Sequence, residues 1–256
     1  MATNGATVFI DQPELLAAQQ RIDLNILLAA NEAVWSALAA KPLWRFATPP
    51  HECCILLALA VLDTLHAWGR TDAKLMRSGL DVRLLTGRLP YILTIGDPSS
   101  PRIEGKWPAH ATVKLGDILL DPTHRQTRRL WNYSPRSAAF LVGAPDGHQI
   151  DVGAGCHARS IVLHRYWREG HQYQVTYFRL PRAVDLATRK WRLAPDARPE
   201  RRAAIVEAAV RRKAVSDLVA APQPARSASE TIVSAGYANS ANLRRKASQA
   251  WGSFNA

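Results

Sequence analysis

His110 and Asp121 stand eleven residues apart in the stretch KWPAHATVKLGDILLDPTHRQ, residues 106–126. An aspartate that accepts from a ring N–H fixes the tautomer of a histidine and supports its imidazolium form, which is half of a nucleophilic triad. The spacing brings the two together if Leu115-Gly116 is a two-residue turn. Lys114 then faces Asp117, Thr112 faces Leu119 and His110 faces Asp121, with opposed Cβ atoms about 5 Å apart on one face. The other face carries Ala111, Val113, Ile118 and Leu120, an apolar set suited to a core. A nucleophile is available upstream in PPHECCILLALA, residues 49–60, where Cys53 and Cys54 open an apolar run. A cysteine in the first turn of a helix meets the positive end of the macrodipole and unpaired N–H groups. Both favour the thiolate, and the same N–H groups can hold a developing oxyanion.

The elements that must position these residues follow from periodicity. Residues 12–41 predict a helix, with Leu15, Leu16, Ile22, Leu24, Leu27, Leu28, Val34 and Leu38 at three- and four-residue steps. KPLWRFATPPHE interrupts it with paired prolines. A second helix is expected over 53–68, closed by Gly69 and apolar on almost every side, so it belongs at the centre of the fold. Strands are expected at 80–85, 89–95, 110–115, 117–122 and 137–143. SIVLHRYW and QYQVTYFRL predict a further hairpin turning at Glu169-Gly170. A basic helix is expected from Pro199 to about Ala220, with Ile205, Ala209 and Val215 as its apolar stripe. APQPARSASET beyond it reads as a low-complexity, flexible stretch. Helices first and antiparallel strands after predict an α+β domain: N-terminal helices with a central Cys-bearing helix packed on an antiparallel sheet.

Composition narrows the class of protein. The 256 residues are 47% hydrophobic and 21% charged, as expected of a chain with a buried core. The net charge is +12, and residues 181–256 hold 14 Lys/Arg against 6 Asp/Glu, eight of those twelve excess charges. Such a region attracts nucleic acid or an acidic partner nonspecifically. Three cysteines, two of them adjacent, make a poor disulfide framework and fit a reducing, cytoplasmic setting. MATNGATVFIDQPELL has no basic segment followed by an apolar core, and CCILLALAVL is about half of a bilayer span, so neither a signal peptide nor a membrane span is expected. The histidines and cysteines have no Cys-x-x-Cys or His-x-x-x-His spacing, so no metal and no cofactor is expected. GAPDGHQIDVGAGCHARS, residues 143–160, lacks the Lys-Ser/Thr ending of a phosphate loop and reads as a connection between strands.

Three features occur in one order: a Cys opening the apolar helix in CCILLALAVLDTLHAWG, a His beginning a strand in HATVKL, and a strand ending in LLDPT. In that order and in those motifs the chain resembles the transglutaminase-like branch of the papain-like cysteine peptidase superfamily, over roughly residues 50–126. The branch includes transglutaminase-core peptidases, arylamine acetyltransferases and leader peptidases of lasso-peptide pathways. The resemblance implies a catalytic domain over 1–180; the sequence beyond it reads as a basic helical extension (181–220) and a flexible basic tail (221–256). It implies a thiol hydrolase or acyl-transferase acting on a peptide or protein amide through an acyl-enzyme thioester. Carried over residue by residue, Cys54 is the nucleophile, His110 the general base and later acid, and Asp121 the orienting carboxylate, with Cys53 kept as an alternative nucleophile. Trp107 and His124 are placed at the substrate cleft, His124 at its edge or on the surface. One departure is Thr112, where the family often has an aromatic residue. The rival reading is a catalytically inactive binding module of the same fold, whose basic C-terminal region contacts nucleic acid or an acidic partner.

Overall fold

The most apolar stretch of the chain becomes its most buried helix. The computed structural model describes residues 7–10, 12–40, 53–86, 92–98, 107–124, 136–144, 147–153, 155–168, 170–193 and 197–212. Helix α1 spans Ala18–Ala39 and helix α2 spans Cys54–Ala67. Ten residues of α2 are buried, from Cys54 round to Leu65, because the sheet covers one side and α1 covers another. Its end is a Schellman turn: Arg70 N–H donates to the Leu65 carbonyl at 2.9 Å, and Gly69 supplies the left-handed residue at φ 84°.

Helix α1 starts later than the apolar spacing predicts. Pro13–Leu15 form a 3-10 turn, and Leu16 and Ala17 are extended, with ψ of 136° and 153°. Leu15 and Ile22 accordingly point to solvent, 72% and 47% exposed, while Leu24, Leu27, Val34 and Leu38 are buried. By length and composition α1 could cross a bilayer, and 61% of its most apolar window is buried inside the molecule. Two polar bonds fix α1 to the sheet: Trp35 Nε1 donates to the Pro122 carbonyl at 3.1 Å, and Asn31 Nδ2 donates to Ser137 Oγ at 2.8 Å.

The strands are β1 (Thr7–Phe9), β2 (Lys74–Leu84), β3 (Ile92–Ile95), β4 (His110–Leu115), β5 (Ile118–Asp121), β6 (Ala138–Leu141), β7 (Gln149–Asp151), β8 (His157–Arg168) and β9 (His171–Phe178). They form one sheet in the order β1-β6-β5-β4-β2-β9-β8-β7, with β3 added to β2. Every pairing is antiparallel except β1 with β6. The sheet curls until Gly143, just past β6, bridges Val162 on β8, with Gly143 N–H donating to the Ile161 carbonyl at 3.1 Å. The protein is therefore a mixed α+β structure, helices against a large and mostly antiparallel sheet.

Several boundaries differ from the periodic reading. Strand β2 begins at Lys74, six residues before the expected strand, because β4 pairs with its polar first half (Lys74 with Lys114 through Ser78 with His110). The 89–95 strand is observed as Ile92–Ile95, residues 89–91 lying outside the described set. Strands β1 and β7 and helix α3 (Arg182–Thr188) were not expected; the first two are three-residue strands made by their partners. The hairpin of β8 and β9 turns where predicted, with Arg168 opposite His171. Helix α4 covers Pro199–Arg211 and buries Ile205 and Ala209 against α1 and α2; Lys213, Val215 and the tail lie outside the described residues.

The sheet is buried on both sides. Ala111, Val113, Leu115, Ile118 and Leu120 face the helices in one core. Leu119, Phe140, Val175 and Tyr177 form a second core inside the curl. His110 and Asp121 lie on this inner face, opposite the helices, and both are fully buried.

Candidate active site

The β4–β5 hairpin has a different register from the one its sequence implied. Val113 faces Leu120, Lys114 faces Leu119 and Leu115 faces Ile118, so Gly116 and Asp117 form the turn. The reason is conformational. Two-residue hairpin turns need positive φ, which Gly116 adopts at 55° and a leucine would resist. The shift is two residues, and strand side chains alternate with period two, so His110 and Asp121 keep their common face. They meet diagonally rather than head-on.

They do meet. His110 Nε2 donates to Asp121 Oδ2 at 2.8 Å, with both side chains fully buried. Asp121 is held from three further directions. Its Oδ1 accepts the Thr123 N–H at 2.9 Å and the Thr123 hydroxyl at 3.2 Å, which is the role of Thr in the Asp-Pro-Thr turn. Its Oδ2 also accepts the Tyr177 hydroxyl at 2.7 Å. His124 Nδ1 lies 3.1 Å from Tyr177 Oη and 3.5 Å from Asp121 Oδ2. Because the tyrosine gives its proton to the carboxylate, its oxygen accepts from His124, which places the His124 proton on Nδ1.

These contacts set the charges. Burial pushes the Asp121 carboxyl upward, but the charge and hydrogen bond of His110, joined by His124, outweigh it and hold Asp121 far below the usual carboxylate range. Burial likewise disfavours the imidazolium of His110. The Asp121 charge and hydrogen bond overcome that, the Cys54 side chain adds to them, and the ring is raised to about 10. Tyr177, buried beside the carboxylate, is pushed well above its ordinary value and stays a neutral donor.

Cys54 is the first residue of α2 and Cys53 its N-cap, with no side-chain cap on the first-turn amides. Neither cysteine is in a disulfide and both are buried, 8% and 5% exposed respectively. The Cys54 side chain is one of the groups that raise the His110 ring. With Nε2 committed to Asp121, Nδ1 is the nitrogen left to the thiol. Nδ1 is buried and, among the described residues, has no hydrogen-bond partner of normal geometry.

Of the other expected residues, Trp107 packs half-buried against the helix-side core and its Nε1 donates to the Thr188 carbonyl at 3.4 Å. His124 is a correction. It is 1% exposed and sits behind Asp121, at neither a cleft edge nor the surface, because the chain after β5 turns into the curl of the sheet. Tyr177 was missed. It lies 56 residues beyond Asp121, in a strand whose alternation marks it only as inward-facing. Cys156 is far along the chain at the β7–β8 turn and packs against a small separate core. Among the described residues, no group of three or more His, Cys, Asp or Glu side chains is arranged to hold a metal.

No family model, curated protein or solved structure matches this chain.

Proposed function

We propose that this protein is a cysteine-dependent amide hydrolase, or an acyl-transferase using the same intermediate, with a transglutaminase-like arrangement of Cys54, His110 and Asp121. The observation that carries the reading is the buried 2.8 Å bond from His110 Nε2 to Asp121, which leaves the ring's other nitrogen open to serve the thiol at the start of α2. Cys54 Sγ attacks the carbonyl carbon of an amide, and the first-turn amides of α2 hold the oxyanion. His110 gives its proton to the leaving amine as the C–N bond breaks, leaving a thioester on Cys54. Water then attacks the thioester while His110 takes one of its protons, and the acid is released. An amine in place of water completes the transferase reaction.

Digestion of a mixed peptide library, read by mass spectrometry beside intact-protein mass after rapid quenching, tests this. New peptide termini and a transient acyl adduct on Cys54, both lost in Cys54→Ala, are expected. Cleavage that survives Cys54→Ala, or no cleavage and no adduct from any peptide, contradicts it. The burial of both thiols favours a second reading, a silent thiol-fold binding module, for which the same library leaves the protein mass unchanged.

A further inference from the structure

A cavity of about 610 Å³ lies beside α2, away from the triad, between the second and third turns of that helix, the first half of β2 and the 3-10 turn Arg189–Leu193. Its apolar lining includes Leu59, Leu62, Leu75 and Trp191. Lys74 and Arg192, both exposed, stand at its rim, and Arg192 lies 4.7 Å over the Trp191 ring. Neither has a carboxylate partner among the described residues. The third cation on the lining, Arg77, is occupied. It pairs with Asp185 at 2.9 Å and donates to Thr188 at 2.8 Å, which pins α3 and the following turn to the sheet as a wall.

That wall is joined to the candidate active site. Arg77 is opposite Ala111, the residue after His110, and Trp107 Nε1 donates to Thr188 of the same wall. The cavity thus runs along the helix that begins at Cys54. Leu59 and Leu62 lie five and eight residues past Cys54, roughly 8–12 Å along the axis. An extended peptide covers that distance in about 2–4 residues.

We propose that this cavity binds a peptide segment in which acidic side chains alternate with bulky apolar ones. The apolar side chains would fill the Leu59–Leu62–Trp191 floor, and the acidic ones would pair with Lys74 and Arg192. A basic segment would be repelled there: among the described residues neither Lys74 nor Arg192 has a carboxylate partner, and the carboxylate that pairs with Arg77 is Asp185. Placing the segment two to four residues from the scissile bond rests on the hydrolase reading; the binding itself does not.

The test uses full-length Cys54→Ala protein, so that binding is read without chemistry. Its probes are blocked hexapeptides carrying a neutral dye: one alternating glutamate with leucine, one lysine with leucine, one glutamate with serine. Fluorescence anisotropy is expected to show binding of the glutamate–leucine peptide alone. Reversing both rim charges (Lys74→Glu with Arg192→Glu) is expected to weaken it roughly tenfold or more. The control, Arg179→Glu with Arg212→Glu, changes net charge equally at exposed positions elsewhere and is expected to leave affinity within about twofold. No binding, equal binding of the serine peptide, or an equal loss in the control overturns the proposal. Failure of the library digestion with the anisotropy result intact would remove the hydrolase and leave the peptide site.

Discussion

Asp121→Asn keeps the shape of the side chain and removes the charge that holds His110 as a cation. The pair is 2.8 Å apart and both partners are fully buried, so breaking it removes the carboxylate that does most to hold the buried ring charged. Breaking a buried pair from one side costs about 3–5 kcal/mol. The variant should still fold at pH 6, since a domain of this kind has about 5–15 kcal/mol to lose. The pH dependence follows from linkage. The His110 ring is raised from 6.5 to about 10, so its contribution is fully present below pH 6.5 and is lost as the pH rises towards 10. Asp121 is lowered from 3.8, so its contribution is present above that value and is lost on acidification. The difference in stability between the natural chain and Asp121→Asn is therefore greatest from about pH 4 to 6.5 and shrinks on either side. Urea unfolding of both proteins at pH 4, 6, 8 and 10 measures it. A difference that stays constant from pH 6 to 10 would refute the assignment of a buried ion pair.

Three other expectations concern the scaffold. Tyr177→Phe removes one of the donors to Asp121 and should cost about 1–3 kcal/mol in the same urea assay; an unchanged midpoint would argue that the hydroxyl does not hold the carboxylate. Gly79→Ala would drive a methyl group into the Phe178 ring, so a loss of about 1–3 kcal/mol by thermal melting is expected, and a neutral result would contradict the packing between β2 and β9. Ile205→Ala hollows the contact of α4 with α1 and α2, and about 2–5 kcal/mol should be lost if that helix belongs to the same cooperative unit. A melt split into two transitions, with the larger one unmoved, would show that it does not.

How much of this was legible beforehand depended on how local the signal was. The Cys-bearing helix, its Gly69 stop and the β8–β9 hairpin are specified by runs of neighbouring residues, and they appear where expected. The His110–Asp121 pairing was reached from the wrong register, because a two-residue shift leaves the faces unchanged. Lys74 to Gly79 carry no strand signal of their own; β4 and β9 draw them into the sheet. His124 looks solvent-exposed in the polar run DPTHRQ, and only the curl of the sheet puts it beside Tyr177. Tyr177 itself reaches Asp121 through three strand pairings, β5 to β4, β4 to β2 and β2 to β9, which no spacing rule connects. Contacts made by closure of a sheet are invisible to periodicity.

The reactive convergence of a sulfur on an acid–base pair is tested most directly by alkylating the folded protein with iodoacetamide at pH 6 and mapping the modified cysteine by peptide mass spectrometry. An ordinary thiol is about 0.3% ionised at that pH and reacts slowly. Cys54 is expected to be modified first and fast, ahead of the more exposed Cys156, with the rate falling sharply in His110→Ala. If Cys156 reacts first, or if Cys54 reacts at the same rate without His110, the thiol is a core residue and the chemistry proposed for it does not occur.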